Sequence, residues 1–346
     1  MTKKALASSI LPKSVINNLN RTLEPYLSQR LNKSGICAIK TSRERRQLYL
    51  LAMAQLWQLG FRIRAPQSLA AKHVVALMRH WHEQGISAAT LHTRLSMLRG
   101  LCSWLSKRDV VSDDITDYVP DEAAQRKTVV TESKAWEAHG IDPHEMIELA
   151  LRIDERFGLM LAVQWAFGLR VKESIEIRPC KALVDSDSTL EIYEGTKGGR
   201  VRRIPIETKY QRDILEHARM VAAKGNTGRL RWTDCTWRQA QNRFYHYVRR
   251  RLGLTKAMLG ITCHGLRHSF AQREYRGLTG LPTPVEGGAL GRIDRRTHQS
   301  ACLTVSRRLG HGRIDVTTAY YGSYGHALRV APTDMTFVLK QRTTYV

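Results

Sequence analysis

The stretch LGHGRIDVTTAYYG, residues 309–322, places His311 nine positions before Tyr320, with Tyr321 directly behind it. Working back along the chain, HGLRHSFA (264–271) carries His264 and Arg267, GTKGGRVRRIPI (195–206) carries Lys197, and AFGLRVKE (166–173) carries Arg170. Each string alone has a structural reading. An arginine after Gly-Leu caps a helix C-terminus, a lysine among glycines sits in a solvated turn, and a single histidine or tyrosine packs in a core. His264 and His268 stand at i, i+4 but lack the glutamate of an HExxH zinc site. Read together and in this order, the strings collect two guanidinium groups, two imidazoles, an ammonium group and a phenol.

The bulk composition says what such a collection faces. Lys and Arg number 55 against 31 Asp and Glu, a formal charge of +24 over 346 residues. So large an excess repels itself unless a polyanion is bound, which points to nucleic acid without choosing DNA over RNA. The cysteines, Cys37, Cys102, Cys180, Cys235, Cys263 and Cys302, form no CxxC pair, so neither a disulfide framework nor a zinc ribbon is expected. No stretch reaches the roughly 18 consecutive apolar residues of a membrane span. The expectation is a cytoplasmic, nucleoid-associated protein with no membrane partner.

Periodicity divides the chain. Residues 1–41 read as an N-terminal arm or an extra helix. Over 42–125, Leu48, Leu51, Leu56, Val74, Leu77, Met78 and Trp81 fall at helical spacing, and Leu91, Leu95, Leu98, Cys102 and Leu105 make one stripe. That is a small helical bundle, with Arg94 and Arg99 on other faces, either to meet phosphate or to form a solvated face. Residues 126–142 read as a linker. Residues 143–322 form a second domain, with a helical run from Met146 to Trp165. A hairpin follows, Leu190 and Ile192 against Val201, Ile204 and Ile206, whose glycine-rich tip holds Lys197 beside Arg200, Arg202 and Arg203. Helical periodicity resumes after Lys209, interrupted from Gly277 to Gly291. Residues 323–346 form a tail with an apolar cluster, Met335, Phe337, Val338 and Leu339, suited to exchange between protomers.

Breaking a phosphodiester without a metal ion needs a nucleophile, donors that neutralise the non-bridging oxygens, and an acid for the leaving oxygen. Tyr, Arg, His and Lys supply these. Glu173 fits a structural partner that orients a nearby donor.

The four strings, in order and spacing, resemble the motifs of the tyrosine recombinase family, which takes in phage integrases, Xer resolvases and integrases of integrative elements. The resemblance covers roughly residues 143–322; the N-terminal helices are similar to the family's core-binding domain in length and helicity. It implies a mainly α fold with a small β-sheet, in which a helical core-binding domain and a mixed α/β catalytic domain clamp duplex DNA. It implies that Arg170 and Arg267 grip the scissile phosphate, each with a planar fork. His264 and His311 would bond its oxygens and help move the nucleophile's proton, Lys197 would protonate the 5′-oxygen, and Tyr320 would attack phosphorus without metal or cofactor. Counting nine from His311 selects Tyr320, whereas aligning Thr317-Thr318 with a TTxxY pattern selects Tyr321. Arg94, Arg99, Arg200, Arg202 and Arg203 are the expected DNA-backbone contacts.

Implied partners are double-stranded DNA recombination sites, three further copies of the chain in a tetramer that passes through a Holliday junction, and as candidates a directionality factor or a DNA-bending host protein. The implied role is integration or excision of a mobile element. A type IB topoisomerase, a telomere-resolving enzyme and a non-catalytic DNA-binding regulator are the alternatives. The distance from His264 to His311 is longer than in compact family members, and residues 277–300 hold the excess.

Overall fold

Helical spacing of apolar residues dictates most of the backbone. The computed structural model describes residues 3–31, 35–126, 129–288 and 291–326. The chain divides into two compact units, Met1–Lys127 and Thr128–Val346.

Apart from one antiparallel bridge, Gln29 to Ile36, the regular structure of the first unit's described residues is helical: α1 (Lys3–Ile10), α2 (Lys13–Leu23), α3 (Ile39–Gln58), α4 (Ala71–Glu83), α5 (Ala88–Trp104) and the single turn α6 (Asp121–Ala124). α3 is apolar on two faces, and each face has its own core. One packs Tyr49, Leu50 and Met53 against Leu11, Val15, Leu19 and Leu23. The other packs Leu48, Ala52 and Leu56 against α4 and α5 through Leu77, Trp81, Leu95 and Cys102. The buried Trp81 indole donates to Gln55 Oε1 at 2.8 Å, so its polar edge is satisfied inside the core.

The second unit is built round α8 (Glu155–Phe167), apolar on nearly every side and therefore central. It follows α7 (Pro143–Ile153) with no intervening loop, because Asp154 ends one helix and caps the next, accepting from Phe157 N at 2.9 Å. The two helices cross so closely that a Cβ on Gly158 would lie 2.5 Å from the Leu151 backbone nitrogen. Next come α9 (Val171–Glu176), α10 (Pro179–Ala182) and an antiparallel sheet in the order β1 (Leu183–Val184), β2 (Thr189–Ile192), β3 (Arg202–Pro205). Leu190 pairs with Ile204, and both face the core. The hairpin forms as its residues predict; β1 is an addition. Then follow α11 (Lys209–Ala223), α12 (Trp237–His246), a π-helical extension Tyr247–Arg251, α13 (Lys256–Leu259), α14 (Gly265–Thr279), α15 (Arg295–Arg308) and α16 (Ile314–Tyr321).

Within 126–142, Trp136 is fully buried and its indole donates to Thr262 O at 2.8 Å, so the chain enters the second unit's core ahead of α7. Part of the 277–300 stretch is helical, since α14 runs to Thr279 and α15 begins at Arg295. Met335, Phe337, Val338 and Leu339 lie outside the described residues.

Candidate active site

Arg170 follows the end of α8, where Gly168 takes a left-handed conformation at φ 59°. A Cβ there would lie 2.5 Å from the Phe270 ring, so the turn needs glycine for both conformation and space. The turn makes Arg170 the N-cap of α9. Its backbone N–H donates to Glu173 Oε2 at 2.7 Å and its Nη1 to Glu173 Oε1 at 2.7 Å. Glu173 is fully buried and also receives Arg202, whose Nη1 and Nη2 reach its two oxygens at 3.0 and 2.7 Å. Burial alone would raise the Glu173 carboxyl. The hydrogen bond and charge of Arg202, with the charges of Arg170 and Arg267, overcome it and hold the group at about 2.

Arg267 rises from the first turn of α14 and is 1% exposed. Its Nη1 donates to Gly168 O, its Nη2 to Leu309 O, and its Nε to Tyr320 Oη at 3.2 Å. Nη2 also lies 3.3 Å from His311 Nε2. The guanidinium thus ties the Gly168 turn, the end of α15 and α16 to one point. Four of its five N–H donors face protein atoms, whereas Arg170 places one on Glu173. Burial pushes the Arg267 group down to about 10, which leaves it charged at neutral pH.

His311 Nε2 is 3.3 Å from Tyr320 Oη. An arginine can only donate, so its contact favours the His311 tautomer whose Nε2 carries the lone pair. Desolvation first, and then the charges of Arg267, Arg170, Arg202 and Arg200, push this imidazole down to about 4. His264 opens α14 with its surface open to solvent and its ring centroid 5.7 Å from that of Tyr320. Partial desolvation and the charges of Arg267, Arg170 and Lys134 hold it at about 4. Both rings are neutral at physiological pH.

The adjacent tyrosines separate sharply. Successive helical positions differ by about 100°, and Tyr320 turns its hydroxyl to Arg267 and His311 while Tyr321 turns away. The Tyr321 hydroxyl meets Thr317 Oγ1 at 2.5 Å, and its ring stacks on Tyr275 at 5.7 Å.

Two further groups fix Tyr320. The His268 ring lies 4.7 Å from it, and Gln272 Nε2 donates to its carbonyl at 2.9 Å. His264, His268 and Gln272 fall at i, i+4, i+8 on α14, so helical spacing within the HGLRHSFAQ string was the signal that could have found them. The backbone of Lys197 lies in the turn between β2 and β3; its side chain is outside what the structure describes.

Residues 21–111 match the family model described as Phage integrase, N-terminal, and residues 127–273 the one described as Integrase. Together they span well over half of the chain. The chain belongs to the tyrosine recombinase family, of the phage integrase type. Arg170, Lys197, His264 and Arg267 of this family member fall inside the Integrase match, and His311 and Tyr320 beyond it. A curated relative, tyrosine recombinase XerC of Neisseria gonorrhoeae, is 26% identical over 222 residues, which cover 60% of this chain and 66% of the relative, just under two thirds of its length. Among solved structures, a lambda integrase dimer bound to a core site has a TM-score of 0.56 at 18% identity, covering 88% of this chain and 95% of that one. A lambda integrase tetramer bound to a Holliday junction has a TM-score of 0.55 at 16% identity, covering 93% and 86%. The recombinase fold is thereby shared: helical first unit, mixed second unit.

The other cations of this family member are placed unequally. Arg203 is exposed, although it pairs with Glu191 at 2.8 Å, and the exposed Arg200 donates to His311 O at 3.2 Å. Arg202, expected to face DNA, points inward instead: its side chain is 3% exposed and both terminal nitrogens are on Glu173. In the first unit, the Arg94 guanidinium lies 4.7 Å over the Trp81 ring, and Arg99 donates to Ser112 O at 2.9 Å. Among the described residues no helix is long and apolar enough to cross a membrane.

Proposed function

We propose that this chain cleaves and rejoins duplex DNA through a 3′-phosphotyrosine on Tyr320, and that it recombines specific sites of a mobile element. The observation that carries the reading is the Tyr320 hydroxyl, held 3.2 Å from Arg267 Nε and 3.3 Å from His311 Nε2. A donor on one side and a lone pair on the other are what deprotonating a phenol requires.

In the forward step the Tyr320 oxygen bonds phosphorus, its proton passes to His311 Nε2, and the Arg267 N–H holds the oxygen as charge develops. Arg170, with its remaining donors, and His264 stabilise the non-bridging oxygens. The bond from phosphorus to the 5′-oxygen breaks, and Lys197 supplies the proton that oxygen needs. The reverse steps, with a partner strand's 5′-hydroxyl as nucleophile, restore the tyrosine and reseal DNA without an external energy source. No metal or organic cofactor is called on.

Similarity to the lambda integrase tetramer on a Holliday junction supports a tetramer acting on paired sites. The charge of +24 supports duplex DNA as partner and the nucleoid as its place in the cytoplasm. A directionality factor or DNA-bending host protein remains a candidate accessory. The test is a supercoiled plasmid carrying two copies of the DNA that flanks the gene. Exchange between the copies is the expected outcome; relaxation without exchange would move the reading to a type IB topoisomerase.

A further inference from the structure

Around Arg170 and His264 the second unit has an open cavity of about 440 Å³, and the cleavage chemistry uses only those two of its lining residues. Its lining includes Arg170, His264, Lys172, Gln241, Tyr245 and Arg249, and no acidic residue. Arg249 belongs to the π-helical turn Tyr247–Arg251 that extends α12. A π turn inserts a residue into the helix and re-aims the side chains that follow, a local irregularity frequent at functional sites. Here the Arg249 guanidinium comes to lie 5.2 Å from the Tyr245 ring centroid. Lys172 is held similarly, its ammonium 5.3 Å from the Trp237 ring. Both side chains are therefore braced by aromatic faces, yet among the described residues neither hydrogen-bonds nor ion-pairs with another residue.

Aromatic bracing restricts a long cationic side chain without consuming its N–H donors. The cavity with Glu207 and Glu274 on its wall makes a contrast, because there Arg308 already pairs with both carboxylates. Two braced cations with unengaged donors, beside an arginine and a histidine and with no carboxylate on the wall, make a seat for an anion.

We propose that this cavity seats a second backbone phosphate, the one adjoining the scissile phosphate, through Arg249 and Lys172. The proposal rests on the reading of the chain as a DNA-cleaving enzyme. The seat fixes the strand at a second point, so that the phosphorus is aligned with Tyr320 by two phosphates rather than one. The duty of Arg249 and Lys172 is positioning; the chemistry itself belongs to Arg170, Lys197, His264, Arg267, His311 and Tyr320.

The experiment takes a duplex that the full-length protein recovers from a randomised pool. Its backbone phosphates are replaced one at a time by neutral methylphosphonates, and binding and adduct formation are read in the same reactions for wild type, Arg249→Gln and Arg250→Gln. For wild type, neutralising the phosphate beside the cleavage position should weaken binding about tenfold, the scale of one charge-assisted hydrogen bond. Arg249→Gln should bind more weakly, lose about 0.9 from its log-log salt slope, and show no further loss at that phosphate. Arg250→Gln, outside the cavity, should keep the wild-type pattern. The same pattern in wild type and Arg249→Gln overturns the seat, and so does a wild type that binds no duplex. An Arg249-dependent loss at one phosphate without adducts leaves a phosphate seat at Arg249 standing, but removes the cleavage reading and with it the seat's place beside a scissile phosphate.

Discussion

His311 Nε2 and Tyr320 Oη stand 3.3 Å apart, the histidine just ahead of α16 and the tyrosine in its last turn. Arg267 touches both groups, so the three side chains form one hydrogen-bonded unit. Tyr320 is 6% exposed in this arrangement.

The two tyrosines should part company on mutation. Tyr321→Phe removes a buried hydroxyl bonded to Thr317 and should cost about 1 kcal/mol of stability. It should leave adduct formation intact. Chemical denaturation beside a cleavage assay reads both effects.

Glu173→Gln should be among the most damaging single-atom changes in the second unit. It removes the charge that faces Arg202 and Arg170, and breaking a buried pair typically costs about 3–5 kcal/mol. The denaturant midpoint should fall, and adduct formation should slow because Arg170 loses the carboxylate that orients it.

Acid should destabilise the protein in two stages. His264, His268 and His311 titrate near 4, 3 and 4 in the folded chain against an ordinary 6.5. Depressed imidazoles stay neutral when folded and take up protons on unfolding, so stability is full above 6.5 and falls as the pH drops from there toward 3. In that interval the buried His268 contributes a slope of about 1.4 kcal/mol per pH unit. Glu173 adds a loss below its ordinary 4.5, continuing toward 2. Thermal unfolding across this range, with His268→Asn as comparison, should show the first stage shrink in the variant.

Lys197→Ala should slow cleavage of an ordinary strand far more than cleavage of one whose leaving 5′-oxygen is replaced by sulfur, because a thiolate departs without a proton. Equal slowing on both strands would remove Lys197 from the acid's role.

The site was largely legible because its chemistry is local in sequence. Helical spacing within HGLRHSFA puts His264 beside Arg267, and nine residues bring His311 to Tyr320 across the start of α16. What stayed hidden depended on partners far along the chain. Arg202 shares a strand face with Ile204, and that alternation alone would turn it inward. A buried arginine is unfavourable without a partner, and its partner Glu173 lies 29 residues earlier, so composition placed Arg202 outside. Trp136 was equally hidden: a single tryptophan in a polar stretch has no periodicity, and its pairing with Thr262 exists only after folding. The carbonyl partners of Arg267 were hidden for a related reason, since sequence does not say which carbonyls it will meet.

The most direct test of the central claim is covalent trapping on nicked duplexes drawn from DNA flanking the gene, with wild type, Tyr320→Phe, Tyr321→Phe and Arg170→Ala run in parallel. Wild type and Tyr321→Phe should give denaturation-resistant protein–DNA adducts. Tyr320→Phe should give none, and Arg170→Ala should form them about 100- to 1000-fold more slowly. Adducts that persist in Tyr320→Phe and vanish in Tyr321→Phe would contradict the assignment of the nucleophile, and a wild type that binds these duplexes without ever becoming attached would contradict the cleavage mechanism itself.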